Sequence, residues 1–350
     1  MVAYLLKKIG YGCLVVFGVA IVGFLITYTL PGDPAKLIAG PRATPETIEM
    51  IRKELGLDKP VATQLAYYIN DLSVVSVHKD TPKNEARYNY VRLFSISNTA
   101  LVLKKPYLGY SYFRNKDVDS ILFDKVSATI VLAVSAMIFA TLFGVVLGII
   151  CALKQHSALD HALVSISVLG ISTPSFVAAI FIALIFGYYL SEYTGLNMTG
   201  SLWTSSVYDG KQIALKNIIL PALTLGLRPL AIITQLTRSA MIEELSKDYV
   251  RTARAKGLPQ YIVIFKHTLK NAINPVITAI SNWLATLIAG AFFVEYVFSW
   301  SGLGLTTINA ISERDFPVIM GAIIVVAAVF VVITIAVDLI YALLDPRVRV

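Results

Sequence analysis

The chain has 350 residues, of which 56% are hydrophobic and 15% charged, with a net charge of +8. A soluble domain carries about 25% charged residues, so this composition, with a mean hydropathy of +0.70, excludes a soluble protein and indicates a polytopic membrane protein. The positive charge is explained below by its distribution about the membrane, and no nucleic-acid partner is expected.

Crossing a hydrocarbon core of roughly 30 Å takes about 20 apolar residues. Six runs qualify, at about Ile9–Leu30, Val126–Leu153, Ala162–Leu190, Ile213–Thr237, Pro275–Phe298 and Val318–Leu344. The expected fold class is therefore an all-α membrane protein of six transmembrane helices. Lys7 and Lys8 precede the first run, which is too long for a signal-peptide core and has no Ala-x-Ala-like site after it. Residues 1–30 read as an anchor helix, closed by the helix-breaking turn Pro31-Gly32-Asp33-Pro34.

Residues 31–123 form a long extracytoplasmic segment. Thr44-Pro45-Glu46 supplies a cap, a first-turn proline and a carboxylate for the positive end of a helix. Ile48, Ile51 and Leu55 line one side of that helix and Gly56 ends it. A second helix follows, with Val61, Leu65, Tyr68 and Leu72 on one face. Between about Val74 and Tyr107 the chain is polar and tyrosine-bearing, with strand character around Tyr90–Ile96.

Residues 124–350 hold the remaining five spans. In span two, Gly144 and Gly148 have the spacing that lets helices approach closely, and a polar turn ends near Asp160. Span three contains Ser172-Thr173-Pro174, open to two readings: a proline kink packed by its neighbours, or hydroxyls lining a passage. Span four is interrupted by Pro221, Arg228 and Pro229, which neighbouring helices and water can accommodate. Span five has few polar groups beyond Asn282 and Glu295, and runs into Ser299–Gly304, which contains Trp300. Glu295 and Trp300 suit either a gate beside a passage or a carboxylate and ring at the membrane surface. In span six Asp338 lies inside the inner surface, either as a functional ionisable group or paired with Arg238 or a helix end.

Between spans four and five, residues 243–275 make the one long polar interruption of the second half. Ser246 or Asp248 is expected to cap a short helix, Gly257 to end it in a left-handed conformation, and Pro259 to open a second helix toward Lys270. Tyr249, Ala253 and Gly257 share one side of the first helix, while Lys247, Arg251 and Arg254 share another. Small residues admit a foreign backbone and the basic side can meet carboxylates, so the stretch reads as a docking platform. A membrane-surface helix pair or a DNA-binding helix-turn-helix is the bland alternative, disfavoured by the spans on either side.

Basic residues orient the chain. With the N-terminus inside, the cytosolic side holds Lys7, Lys8, Lys154, Arg238, Lys247, Arg251, Arg254, Lys256, Lys266, Lys270, Arg347 and Arg349. The two short outer loops hold only Lys211, Lys216 and Arg314. Both termini are expected in the cytosol of a bacterial inner membrane. No G-x-x-x-x-G-K-[ST] loop is present, His78, His156, His161 and His267 lack ligand spacing, and no nucleophilic or paired-carboxylate set converges. Cys13 and Cys151 read as core packing. No catalytic residue, metal site or enzyme activity is expected.

YVRTARAKGLP followed by FKHTLKNAINP resembles the cytoplasmic "EAA" loop of ABC importer permeases, in the variant of the dipeptide/oligopeptide and nickel permease family. PGDP after span one, GLD-x-P, the Gly109-Tyr110-Ser111 turn, the E-x-x-F-x-x-x-G-L-G spacing from Glu295 and the terminal Asp345-Pro346-Arg347 are similar to the same family. Only the insertion at about 74–107 lacks a counterpart, and it either touches the substrate-delivering protein or decorates the surface. The resemblance implies a type I importer permease fold with an enlarged outer loop. It also implies a second related permease forming a hetero- or homodimer, two ATP-binding subunits carrying ATP and Mg, and a solute-binding protein. On that pattern Tyr249, Arg251, Ala253, Arg254, Ala255, Gly257, Leu258 and Pro259 would dock the ATPase, braced by His267, Asn271 and Pro275. Ser172, Thr173, Pro174, Asn282, Glu295, Trp300, Gly302 and Gly304 would be pathway or gate residues. Peptides are the implied solute, with nickel, glutathione or another small solute as alternatives. An ion-coupled secondary transporter is the rival of another class, opposed by the lack of mid-membrane acidic relays and of visible internal repeats.

Overall fold

The computed structural model describes residues 2–29, 33–40, 42–96, 98–206 and 210–344. Pro31 and Gly32 of the expected surface turn, and the Asp345-Pro346-Arg347 ending with Arg349, lie outside the described residues. The chain groups into two compact units. One takes in Met1–Ile9, Lys125–Leu305 and Val329–Val350, and the other Gly10–Asp124 and Thr306–Ala328.

The second unit follows α1 (Val2–Thr29) with three short helices, α2 (Pro34–Ala39), α3 (Pro45–Glu54) and α4 (Val61–Leu72). α3 starts as its sequence dictates: Pro45 occupies the first turn and Thr44 accepts the amide of Thr47. Gly56 follows it with φ +69°, a conformation that costs a side-chain-bearing residue more than glycine. The insertion folds as β1 (Val75–Lys79), α5 (Pro82–Tyr88), β2 (Val91–Ile96) and β3 (Thr99–Leu103). Its strands make an antiparallel sheet in the order β1-β3-β2, with a register shift between Arg92 and Phe94. The strand character expected near Tyr90–Ile96 is therefore β2. Central β3 buries Ala100 and Val102 beneath Tyr90, whereas every β2 side chain is exposed. A second small sheet pairs β4 (Tyr110–Ser111) with β5 (Lys116–Asp117).

In the first unit, α6 (Val118–Leu153) contributes Ala128, Leu132, Ala133, Ala136 and Ala140 to the core. The next span is broken: α7 (Ala158–Ser172) and α8 (Ser175–Leu184) meet at 111° across Thr173-Pro174. Proline has no amide to continue the ladder, and its ring forbids the preceding helical carbonyl geometry. A π-helical turn (Ile185–Tyr189), the short α9 (Ser191–Thr194) and a hairpin of β6 (Trp203–Ser206) and β7 (Gly210–Ile213) lead into α10 (Lys216–Leu245). The fourth span thus starts at Lys216, and Ile213, expected in the helix, closes the hairpin instead. α10 keeps Pro221 and Pro229 inside it because α7, α8 and α14 (Asn274–Val297) surround it. The glycine expectation holds: a Cβ on Gly144 would come within 2.8 Å of Ile233, and one on Gly148 within 2.5 Å of Thr237. These two glycines let α6 and α10 touch backbone to side chain.

Between α10 and α14 lie α11 (Asp248–Ala255), α12 (Gln260–Ile262), a π-helical turn (Val263–Thr268) and α13 (Leu269–Ala272). The chain ends with α15 (Leu303–Glu313) and α16 (Phe316–Leu344). Among the described residues, five helices are long and apolar enough to span a membrane, and the α7–α8 pair counted as one span gives the expected six.

One of the readings of Asp338, a pairing with Arg238, is corrected. Asp338 pairs with Lys8 at 2.7 Å, not with Arg238. Arg238 instead holds Asp160 through Nε and Nη2, both at 2.7 Å, a two-pronged match of planar guanidinium and carboxylate. Cys151 is buried as expected, but Cys13 is exposed and does not pack a core.

Candidate coupling platform

The stretch 243–275 is built on a small apolar cluster of its own. Val250 and Ala253 of α11 pack on Val263, with Leu245 and Leu258 at the edge. α11 is therefore amphipathic for a local reason, and Ala253 faces inward although it was expected on the docking side. Lys247 occupies the cap position without a side-chain cap bond, and Asp248 is the first helical residue, so neither Ser246 nor Asp248 caps the helix. Ser246 donates to the Glu243 carbonyl at 2.7 Å. Gly257 turns the chain with φ +73° and open space where a Cβ would stand. Pro259 precedes α12 as its cap residue.

A polar clasp joins the two ends of the stretch. The Tyr249 hydroxyl donates to Glu244 and receives the Asn271 side-chain amide at 3.0 Å. Glu244 also pairs with Lys247, whose ammonium pKa is raised by that hydrogen bond. Burial, and then the Glu244 contact, push the Tyr249 phenol above its usual range. Of the expected braces, Asn271 acts through its side chain and His267 through its carbonyl, which accepts from Asn271 at 3.4 Å. Pro275 stands in the first turn of α14.

The outward surface is mixed. Arg251, Arg254, Lys256, Ala255, Gly257 and Pro259 are exposed, and Leu258 is partly so. Arg251 is held only by an exposed contact to Asp248 at 3.4 Å, which leaves its charge available. Tyr261 and Phe265, 65% and 59% exposed, add aromatic area that the sequence reading missed. The π-helical turn that follows Tyr261 and contains Phe265 shifts the side-chain register, which a 3.6-residue pattern does not anticipate.

The gate candidates form a second arrangement. Glu295, expected either at a gate or at the surface, is fully buried. It accepts Thr129 Oγ1 at 2.6 Å, the Gly304 amide at 2.7 Å and the Leu305 amide at 3.2 Å. Trp300 is likewise buried and donates to the Ala128 carbonyl at 3.0 Å, so it is no interfacial anchor. A Cβ on Gly302 would collide with the Glu295 carboxylate, and one on Gly304 with the Phe292 backbone. The E-x-x-F-x-x-x-G-L-G spacing thus encodes a carboxylate that folds the following turn back onto its own helix.

Of the remaining candidates, Thr173 donates to the Leu169 carbonyl and Pro174 forms the break. Asn282 is exposed on α14, and Ser172 ends α7. Nothing brings these together with Glu295 in one cluster.

Residues 144–350 match the family described as binding-protein-dependent transport system inner membrane component, and residues 1–133 match its N-terminal membrane component. The chain belongs to this family. The dipeptide transport system permease protein DppB of Alkalihalophilus pseudofirmus is 35% identical over 364 residues, covering 100% of both chains. The protein of the same name from Escherichia coli K12 is 34% identical over 367 residues, 100% of this chain and 99% of its own. A di/tripeptide permease of Pseudomonas aeruginosa is 33% identical over 365 residues, with 100% and 99% covered. Among solved structures, the inward-facing MetNI methionine ABC transporter matches with a TM-score of 0.50 at 16% identity. That match covers 65% of this chain and 97% of the other, and it shows the shared fold of an importer permease. This inner membrane component therefore has the expected family and fold class.

Sequence reasoning missed the partners within this inner membrane component. Thr129 and Asp160 are ordinary residues in sequence, and only packing shows them holding Glu295 and Arg238. The Ser111 turn was noticed, but not that Ser111 donates to buried Asp315 at 2.5 Å while neighbouring Arg114 pairs with Glu313 at 2.8 Å.

Proposed function

We propose that this inner membrane component is a permease subunit of an ATP-driven importer that carries di- and oligopeptides handed over by a solute-binding protein. Full-length similarity to proteins named as dipeptide permeases supports the substrate class. The observation that carries the coupling role is the platform of 243–275. It packs Val250, Ala253 and Val263 on one another and Ile264 and Ala272 on α6 and α10, and it presents exposed arginines, an exposed glycine turn and exposed aromatic rings.

On this reading two ATP-binding subunits, holding ATP and Mg, grip the platform around Ala255–Pro259, with Arg251 and Arg254 meeting carboxylates on the ATPase. A second related permease completes the passage. ATP-driven closure moves the platforms and switches the passage between outward and inward access. Asn271 and Tyr249 brace the platform so that force reaches α10 and α14 without local yielding. Both termini and the platform stand on the cytosolic side.

The test is affinity purification from native membranes with ATPase assay. Gly257→Trp adds bulk at an exposed turn whose Cβ position is open, and it strains the left-handed backbone there. It is expected to remove the ATP-binding subunits while leaving the permease folded and in the membrane. Undiminished ATPase association in this variant would falsify the docking assignment.

A further inference from the structure

Arg228 stands near the middle of α10, twelve residues from Lys216 and seventeen from Leu245. At 1.5 Å per residue it lies about 18 Å along a membrane-length helix. Among the described residues no carboxylate comes within ion-pair distance of it, unlike Arg238 on the same helix, which is saturated by Asp160. Its one hydrogen bond runs from Nε to the Ile171 carbonyl at 3.3 Å, at the end of α7 where the Thr173-Pro174 break interrupts the helical ladder. The guanidinium thus has donors to spare and is exposed.

Beside it is a small, largely apolar cavity of about 80 Å³, whose polar lining is Arg228 with Thr173, Ser175, Thr224 and Thr286 and whose remainder is Trp283, leucines, alanine and glycines. Three of these hydroxyls have spent their protons on their own helices: Thr173 on Leu169, Thr224 on Leu220 and Thr286 on Asn282. Arg228 is the one cationic residue in the described lining, with the Ser175 hydroxyl and the Trp283 indole N–H as neutral donors beside it. A charged side chain at bilayer depth is retained where it faces water or an anion, not hydrocarbon. Lipid tails offer neither.

We infer that Arg228 receives the free carboxylate of the solute in transit, so that the passage itself selects solutes ending in a carboxylate, as short peptides do. This rests on the peptide-import reading above and adds a selective contact beyond the delivery protein. The bidentate fork of arginine suits a carboxylate that must be held briefly and released, with the Ile171 carbonyl keeping the side chain oriented.

The experiment is import into proteoliposomes bearing the complete transporter, for wild type, Arg228→Gln and Arg228→Lys. Labelled L-alanyl-L-phenylalanine and its C-terminal amide are each supplied at concentrations that saturate the binding protein. The Gln variant is expected to slow the free peptide by about tenfold to a hundredfold, the worth of one charge-assisted hydrogen-bonded contact. Import of the amide, basal ATPase activity and subunit stoichiometry should hold, and Lys should retain more free-peptide import than Gln. Equal slowing of both peptides with loss of subunits or basal ATPase overturns the inference and makes Arg228 an ion-pair partner of the second permease. Wild-type rates for both peptides in the Gln variant overturn it as well. Failure of the wild-type transporter to import either peptide removes the peptide reading itself, and this inference with it.

Discussion

Two polar stretches interrupt this apolar chain, and they are stabilised in opposite ways. The platform at 243–275 hides Val250, Ala253 and Val263 and turns its charges outward. The insertion at 74–107 turns apolar side chains outward on β2, with Phe94 and Ile96 63% and 67% exposed. Polar groups are drawn inward, among them Ser76, His78 and Lys104. There Lys104 donates to the Asp71 carbonyl and lies over the Tyr88 ring, and His78 stacks on Tyr88 with centroids 4.2 Å apart. A helical projection can bury a stripe against a neighbouring helix of the same stretch. A three-stranded sheet with one exposed edge strand has too little apolar interior and leans on aromatic and hydrogen-bonded contacts instead.

That contrast can be broken from the platform side most forcefully. Asp160→Asn leaves Arg238 without its anion on α10, the helix that leads into the platform. Loss of about 2–3 kcal/mol is expected, less than for a fully buried pair because Arg238 is 25% exposed, measured as a fall in the detergent melting temperature. In the insertion, Val102→Ala removes two methyl groups from the centre of β3. A cost of about 2 kcal/mol is expected, seen as faster amide exchange confined to β1–β3.

The two stretches should also differ in their response to acid. Burial, aided by the Lys104 and Arg87 charges, lowers the His78 pKa from 6.5 to about 4. The unfolded stretch takes up a proton near pH 6.5 and the folded one only near pH 4, so the unfolded state binds more protons between those values. The insertion is fully stabilised by this effect above pH 6.5 and loses it progressively as pH falls toward 4. His78→Gln should flatten that dependence in exchange measurements on β1–β3, while platform amides show none of it. Tyr249→Phe, which cuts the clasp from Glu244 to Asn271, should cost about 0.5–1.5 kcal/mol by local exchange at α11. Phe94→Ser, on the exposed edge strand, should stay within about 0.5 kcal/mol by global melting. A larger loss there would mean that β2 is covered and that the contrast drawn above is false.

Read from residues alone, helices α3 and α4, the Gly257 turn, the close approach at Gly144 and Gly148 and the six hydrophobic runs were all legible. Each depends on chemistry within a few residues: a proline, a cap, a glycine, a run of apolar side chains. The family was legible for a similar reason, since the motifs from Tyr249 to Pro275 are contiguous. The errors lay where the partner is distant. Arg238 was one of the partners considered for Asp338, but Lys8, 330 residues away in sequence, reaches it, and Arg238 belongs to Asp160. Trp300 suited either a gate or a surface ring, and it is fully buried, donating to the Ala128 carbonyl.

The sequence by itself therefore determined the membrane class, the number of spans, the polar platform and its punctuation, because hydrophobic length and backbone preference are local properties. Tertiary structure alone decided that Glu295 folds the Gly302–Gly304 turn onto its helix, that Ala253 faces inward, and that Arg228 has no carboxylate within ion-pair reach among the described residues. Ion pairs, buried hydrogen bonds and close approaches depend on where separate helices meet, and no periodicity along one helix records that meeting.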